Sequence, residues 1–375
     1  MKKTLFVFSL FLVTSSTPLL SAASSSSSAP GTSDPASAKQ RVHKRLERSA
    51  SALPTSPKQL PRIERSHSAL PSLPTQLNPI AATAARQGAR KTMEDTFYNN
   101  NKKKFWGVYD GHGSHLAALS AQNNLHLNIF SCEKTLSTKQ ALKQGFLNTH
   151  AELKSSAILY GTTATVALVR SGKLYVANVG DSRAVLCAQG TAYQVSVDHK
   201  PDAEEEKARI ESCDGYLETR ISRSDFPFLQ NIDEIISHKV QTVYMRKNMY
   251  NGLAVSRALG DTDLETIVSA KPYIHEQELN GSEDFLIIAS DGLWDVMSNQ
   301  AAVDLVKEWL SKECHPITCA TFLVDKAITL WNHDNVTATI VILNPAIISK
   351  WTLAGGETTE DDGYSTEELE SSLSE

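Results

Sequence analysis

Four short stretches of this chain place carboxylates where a strand-forming run stops. They are Met93-Glu94-Asp95, Tyr109-Asp110-Gly111-His112-Gly113, Ser290-Asp291-Gly292 and His333-Asp334-Asn335. Asp110 follows the apolar run Phe105 to Tyr109, Asp291 follows Phe285 to Ala289, and Asp334 precedes Val336 to Leu343. Acids at the ends of buried strands can converge on one edge of a sheet. There they repel one another and are costly to desolvate unless cations neutralise them. Hard oxygen donors with no thiolate and little imidazole select Mg2+ or Mn2+. One carboxylate shared by two such ions would fix them about 3.5–4 Å apart and turn a bridging water into a hydroxide nucleophile. Glycines after Asp110 and Asp291 suit a tight turn, where a backbone carbonyl could also ligate. Any one Asp-Gly taken alone is more simply a turn; the set in order carries the metal reading.

The elements that must hold these residues are legible between about Ala81 and Leu343. Thr162 to Arg170 alternates and is rich in Thr, Val and Leu, and Ser171-Gly172 makes a two-residue turn into Lys173 to Val179. Gly180-Asp181 leads to a strand over Arg183 to Ala188, and Gln189-Gly190 turns into Tyr193 to Val197. Helical patterns cover Ser114 to Ile129, Thr138 to Leu153, Ala203 to Ser212, Asn299 to Leu310 and Ile317 to Leu330. Helices therefore come in two sets rather than in strict alternation with strands. This predicts an α+β fold in which helices cover antiparallel sheets, rather than a doubly wound parallel fold.

The chain has 375 residues, with Lys+Arg 37 against Asp+Glu 42 and a formal charge of -5, so no strongly basic surface argues for a nucleic-acid partner. Five cysteines without a CxxC pair exclude a zinc module or a disulfide-stapled mini-fold. Met1 to Ala23 has a Lys2-Lys3 head, an apolar centre from Leu5 to Val13 and a small-residue end at Ser21-Ala22-Ala23. That is the layout of a cleavable export signal, and the apolar run is shorter than the roughly 20 residues of a membrane-spanning helix. A cytoplasmic chain with a hydrophobic start is the alternative. Residues 24–80 are rich in Ser and Pro and read as a basic, disordered linker, solvated rather than docked on an acidic partner. The ordered domain is read as 81–345, and 346–375 as an acidic, disordered tail.

Further motifs join the four acidic stretches in one order. They are Arg86-Gln87-Gly88-Ala89-Arg90, Gly161-Thr162-Thr163-Ala164, Gly180-Asp181-Ser182-Arg183, Asp198-His199-Lys200-Pro201, Ser256-Arg257-Ala258-Leu259-Gly260-Asp261 and Gly292-Leu293-Trp294-Asp295. Over about Arg86 to Leu343 the chain resembles the metal-dependent serine/threonine protein phosphatases, the PPM or type 2C family. The resemblance implies a two-sheet β-sandwich flanked by helices, a four-layer αββα domain, with a two-metal site of Mg2+ or Mn2+ at one end. Position by position, Asp110 resembles the bridging carboxylate. The Gly111 carbonyl and Glu94, the latter through water, would serve one ion, and Asp291 and Asp334 the other. Asp181 and Asp295 fall where some members hold a third, weaker metal. Arg90 resembles the phosphate-gripping arginine, whose fork can bind two oxygens at once. His112 resembles the general acid that protonates the departing serine or threonine oxygen. The implied reaction is in-line attack of metal-activated hydroxide on phosphoserine or phosphothreonine of proteins, without a phosphoenzyme.

The stretch from Gly215 to Asn251 departs from the family, with a polar and aromatic insert between residues 216 and 250 where a short flap is usual. The alternatives are a catalytically silent phosphatase-like binding module and a different two-metal hydrolase such as a nuclease. No basic stripe supports the second, and a monomer is the default assembly. Export of a signalling-type domain suggests delivery into another cell. Asn335-Val336-Thr337 would be a glycan acceptor beside Asp334, which favours a bacterial exporter.

Overall fold

The computed structural model describes residues 78–220, 240–245, 248–331 and 333–348. The segments read as export signal, linker and acidic tail lie outside these, apart from Asn78 to Ile80 and Ala346 to Ile348. In chain order the first elements are β1 (Ile80–Arg86), β2 (Asp95–Asn100), β3 (Phe105–His112), α1 (Leu116–Glu133) and α2 (Thr138–Ser155). Next come β4 (Gly161–Thr162), β5 (Ala164–Arg170), β6 (Lys173–Val179), β7 (Arg183–Ala188), β8 (Thr191–Gln194) and α3 (Glu204–Ser212). Then follow β9 (Gly215–Arg220), β10 (Val240–Met245), β11 (Asn248–Leu253), β12 (Tyr273–Glu278) and β13 (Glu283–Ala289). The last are α4 (Asp291–Trp294), α5 (Asn299–Ser311), α6 (Pro316–Leu330) and β14 (Val336–Ile342).

Two antiparallel sheets form the centre. One runs β1-β14-β13-β7-β8 and the other β12-β6-β5-β3-β2, with β4 on the end of β3. The period of two in each strand decides what each face covers. Trp106 and Val108 of β3 and Leu286 and Ile288 of β13 meet between the sheets, with Val176, Leu186 and Val341. Phe105 and Tyr109 turn the other way, onto Ala117, Ala121, Leu125 and Ile129 of α1 and Leu142 and Phe146 of α2. Phe285 and Ile287 turn onto Val303 and Val306 of α5 and Leu323 and Val324 of α6. Sheets buried on both faces explain why β5, β13 and β14 read as nearly continuous apolar runs. The order is helix, sheet, sheet, helix, the α+β sandwich that the pattern predicts.

Some elements escape the sequence pattern. β1 and β2 flank the first acidic stretch, and β12 pairs with β6 on the rim. The last meander strand lies at Thr191–Gln194 rather than Tyr193 to Val197: Val195 bonds back to the Ala184 carbonyl at 3.0 Å, and 197–198 leave the sheet. β9, β10 and β11 form a separate antiparallel sheet, order β11-β10-β9. Within the 216–250 insert, residues 221–239, 246 and 247 lie outside the described residues.

Candidate active site

Strand register gathers the acidic stretches. Asp95 on β2 stands directly opposite Asp110 on β3. Ala289 of β13 pairs with Ala338 of β14, and Ser290 N–H donates to the Thr337 carbonyl at 3.0 Å, so Asp291 and Asp334 flank one strand pair. Ser290 Oγ joins the two sheets by donating to Asp95 Oδ2 at 2.7 Å and accepting from Thr337 N–H at 3.0 Å. Two glycines make these approaches possible. A Cβ on Gly111 would stand 2.8 Å from the Glu94 carbonyl and 2.9 Å from that of Ser114. A Cβ on Gly292 would stand 2.1 Å from the Asn335 carbonyl, so only glycine lets α4 close on the loop that carries Asp334.

Loops are fixed by amides and hydroxyls. Asn335 Oδ1 accepts from Glu94 N–H at 2.8 Å, and its Nδ2 donates to the carbonyls of Gln87 (2.7 Å) and Thr92 (3.1 Å). Thr163 Oγ1 accepts from Asp110 N–H at 3.1 Å, and Thr162 Oγ1 donates to the Asp110 carbonyl at 3.0 Å. Arg90 reaches across from the loop after β1. Its Nη2 donates to Asp334 Oδ2 at 2.7 Å and its Nε to the His333 carbonyl at 2.9 Å. His112 Nε2 lies 2.7 Å from Asp261 Oδ2, and Asp261 is buried with a left-handed φ of 48°.

The electrostatics are those of concentrated negative charge. Desolvation pushes the carboxyls of Asp110 and Asp291 well above the usual carboxylate range. Asp110 is raised further by Asp95, Asp291 and Asp334, and Asp291 by Asp181, Asp295 and Asp334. Burial pushes Asp95 up to about 6 against the pull of its Ser290 bond. Desolvation also raises Asp334, although the Arg90 guanidinium opposes it. For His112, burial works against the charged ring, but the Asp261 carboxylate outweighs it and raises the pKa.

The predicted residues therefore fall into three groups. Arg90, Glu94, Asp110, Gly111, Asp291 and Asp334 share one edge of the sandwich. His112 lies beside them, directed to Asp261. Asp181 forms an ion pair with Lys200 and is 4% exposed, while Asp295 follows α4 at the surface. Among the described residues no three His, Cys, Asp or Glu side chains converge tightly enough to close on one ion. The edge still fits divalent cations chemically. Its donors are hard oxygens, and the mutual repulsion of Asp95, Asp110, Asp291 and Asp334 raises the Asp110 carboxyl. Asp95, Ser290, Thr337, Asp261 and Lys200 carry no role in the sequence reading. The signals were present: an acid adjacent to Glu94, and acid and base inside the quoted Leu259-Gly260-Asp261 and Asp198-His199-Lys200 motifs.

The αββα sandwich thus carries at one edge a cluster of hard-oxygen acids, an arginine and a histidine–aspartate pair. Residues 82–336 match the family model described as protein phosphatase 2C. The chain is 37% identical to probable protein phosphatase 2C 71 of Arabidopsis thaliana over 69% of its own length and 54% of that protein's. It is 36% identical to probable protein phosphatase 2C 59 of Oryza sativa subsp. japonica, over 69% and 74%. Against some relatives, such as probable protein phosphatase 2C 14 of Arabidopsis thaliana (49% covered), the chain spans about half their length. A crystal structure of a serine-threonine phosphatase 2C from Toxoplasma gondii shares the fold, with a TM-score of 0.58 and 24% identity over 73% of this chain and 98% of that one. A C. elegans sex determining protein does so with a TM-score of 0.60 and 21% identity, over 73% and 67%. The chain belongs to the protein phosphatase 2C family.

Proposed function

We propose that this chain is a metal-dependent phosphatase acting on phosphoserine and phosphothreonine of proteins, with water rather than a side chain as nucleophile. One observation carries the reading: the Ser290–Asp95 hydrogen bond joins the β2–β3 pair that carries Asp110 to the β13–β14 pair that Asp291 and Asp334 flank, with Arg90 bonded to Asp334. Glu94, Asp110, Asp291, Asp334 and the Gly111 carbonyl would hold two Mg2+ or Mn2+ ions. When bound, such ions supply Lewis-acid neutralisation of phosphate charge and lower the pKa of water at the site. Arg90, held through Nη2 by Asp334 and through Nε by the His333 carbonyl, would present its remaining N–H groups to the phosphate oxygens. His112 shares Nε2 with Asp261, which leaves Nδ1 to protonate the departing serine or threonine oxygen. Burial pushes the Cys187 and Cys319 thiols up to about 12, so neither of these two serves as a nucleophile at neutral pH.

The test is Mn2+-dependent release of phosphate from phosphoserine and phosphothreonine peptides, compared with phosphotyrosine, by wild type and Asp291→Ala. Equal rates in the two proteins would remove the enzyme reading and leave a binding module. The motif at Met1 to Ala23 supports export, with delivery into another cell as the outcome that would supply phosphoprotein substrates. Sequencing the mature amino terminus tests it, and an intact Met1 or Lys2 on cytosolic protein defeats it. Asn335 is 6% exposed with both amide bonds directed inward, so the folded domain offers no acceptor for a glycan at its Asn-Val-Thr sequon. Among the described residues no helix is long and apolar enough to cross a membrane.

A further inference from the structure

The segment between α2 and β4 leaves two large apolar side chains in solvent beside the His112–Asp261 pair. Ile158 turns inward and packs against the cluster under α1 and α2, whereas Leu159 is 68% and Tyr160 50% exposed. β4 pairs with β3 so that Gly161 stands opposite His112, which puts Tyr160 one position beyond the histidine on the neighbouring strand. The fit is close on both sides. A Cβ on Gly113 would stand 2.5 Å from Tyr160 Cδ1 and 2.8 Å from its Cε1, so the ring rests directly on the residue after His112. A Cβ on Gly260 would stand 2.5 Å from the Tyr160 carbonyl, so the Tyr160 backbone rests on the residue before Asp261. Tyr160 is therefore wedged between neighbours of the two paired residues, with half of it left to solvent.

We propose that Leu159 and Tyr160 form a shelf that takes an apolar side chain next to the phosphorylated serine or threonine, so that the enzyme selects phosphosites flanked by hydrophobic residues. The inference rests on the phosphatase reading above and deepens it. In that reading His112 protonates the departing oxygen, and the rest of the substrate chain is attached to that oxygen. The polypeptide therefore leaves the phosphate on the side of His112, where Leu159 and Tyr160 stand. A ring already packed on Gly113 gives up little freedom when a substrate covers its open side, so contact there adds to affinity at small entropic cost. An amide side chain in the same position would shed water against the leucine with no hydrogen bond in return.

The experiment compares kcat/KM of the full-length protein with Mn2+ for two phosphothreonine peptides of equal length and charge, one with Leu and the other with Gln on both sides of the phosphothreonine. Wild type is expected to favour the Leu peptide about 5- to 20-fold, on the scale of partly burying one apolar side chain. Leu159→Gln and Tyr160→Gln are each expected to bring the ratio down towards parity, and Tyr160→Phe to keep it. The readout is a ratio within one protein, so a loss of activity common to both peptides cancels. Equal kcat/KM for the two peptides in wild type overturns the inference, as does a ratio that Leu159→Gln leaves unchanged. Should Tyr160→Gln not fold, wild type and Leu159→Gln decide alone. If the peptides are hydrolysed equally and sedimentation shows a dimer that Leu159→Gln dissociates, the shelf belongs to a second copy of the chain and the inference falls. A wild type that releases phosphate from neither peptide would instead remove the phosphatase reading, so the two failures are distinguishable.

Discussion

Glu206 ties the element behind Lys200 to the turn that carries Asp261, and its removal gives a measurable test of that linkage. Its Oε1 accepts from Arg257 Nε at 2.9 Å and from Arg257 Nη2; its Oε2 accepts from Arg209 Nη2 at 2.9 Å and Ser256 Oγ at 2.8 Å. The residue is 4% exposed. Burial alone would raise its carboxyl, but the guanidiniums of Arg257 and Arg209 outweigh it and hold the pKa down to about 2, from 4.5. At 1.36 kcal/mol per unit, that displacement corresponds to about 3 kcal/mol of native-state stability at neutral pH. The folded pKa lies below the unfolded one, so the contribution is complete above 4.5 and disappears as pH falls towards 2. Urea unfolding of wild type and Glu206→Gln across this range should show a gap of about 3 kcal/mol at pH 7 that narrows below pH 4.5. A gap that stays constant down to pH 3 would refute the ion-pair account and assign the loss to packing.

Other expectations follow from the same contacts. Asp291→Ala should lower Mn2+-dependent phosphate release by at least about 100-fold, on the scale of removing a group that stabilises transition-state charge, while circular dichroism stays native. Asp261→Asn should lower kcat about 10- to 100-fold with little change in KM, within the range for general acid catalysis. Because Asp261 raises the pKa of His112, the loss of protonated His112 on the alkaline side should move to lower pH in that variant. Gly292→Ala places a methyl against the Asn335 carbonyl, and melting curves should show a loss of about 1–3 kcal/mol together with weaker Mn2+ binding.

What the sequence disclosed follows from which forces are local. The alternation in Thr165 to Arg170 and Lys173 to Val179, and the two-residue turn between them, write the β5–β6 hairpin directly into the chain. β2 is polar, Asp95-Thr-Phe-Tyr-Asn-Asn, and β12 reads Tyr-Ile-His-Glu-Gln-Glu; both are edge strands whose identity comes from a neighbour and not from their own period. The carboxylates at strand ends could be picked out because burying acids beside apolar runs is unfavourable without a compensating charge. Which compensating charge reaches which acid was not legible. Asp95 and Asp110 are 15 positions apart and face each other through register; Asp261 reaches His112 across 149 positions and Lys200 reaches Asp181 across 19. Residue type therefore identified the anions, while the fold assigned their partners.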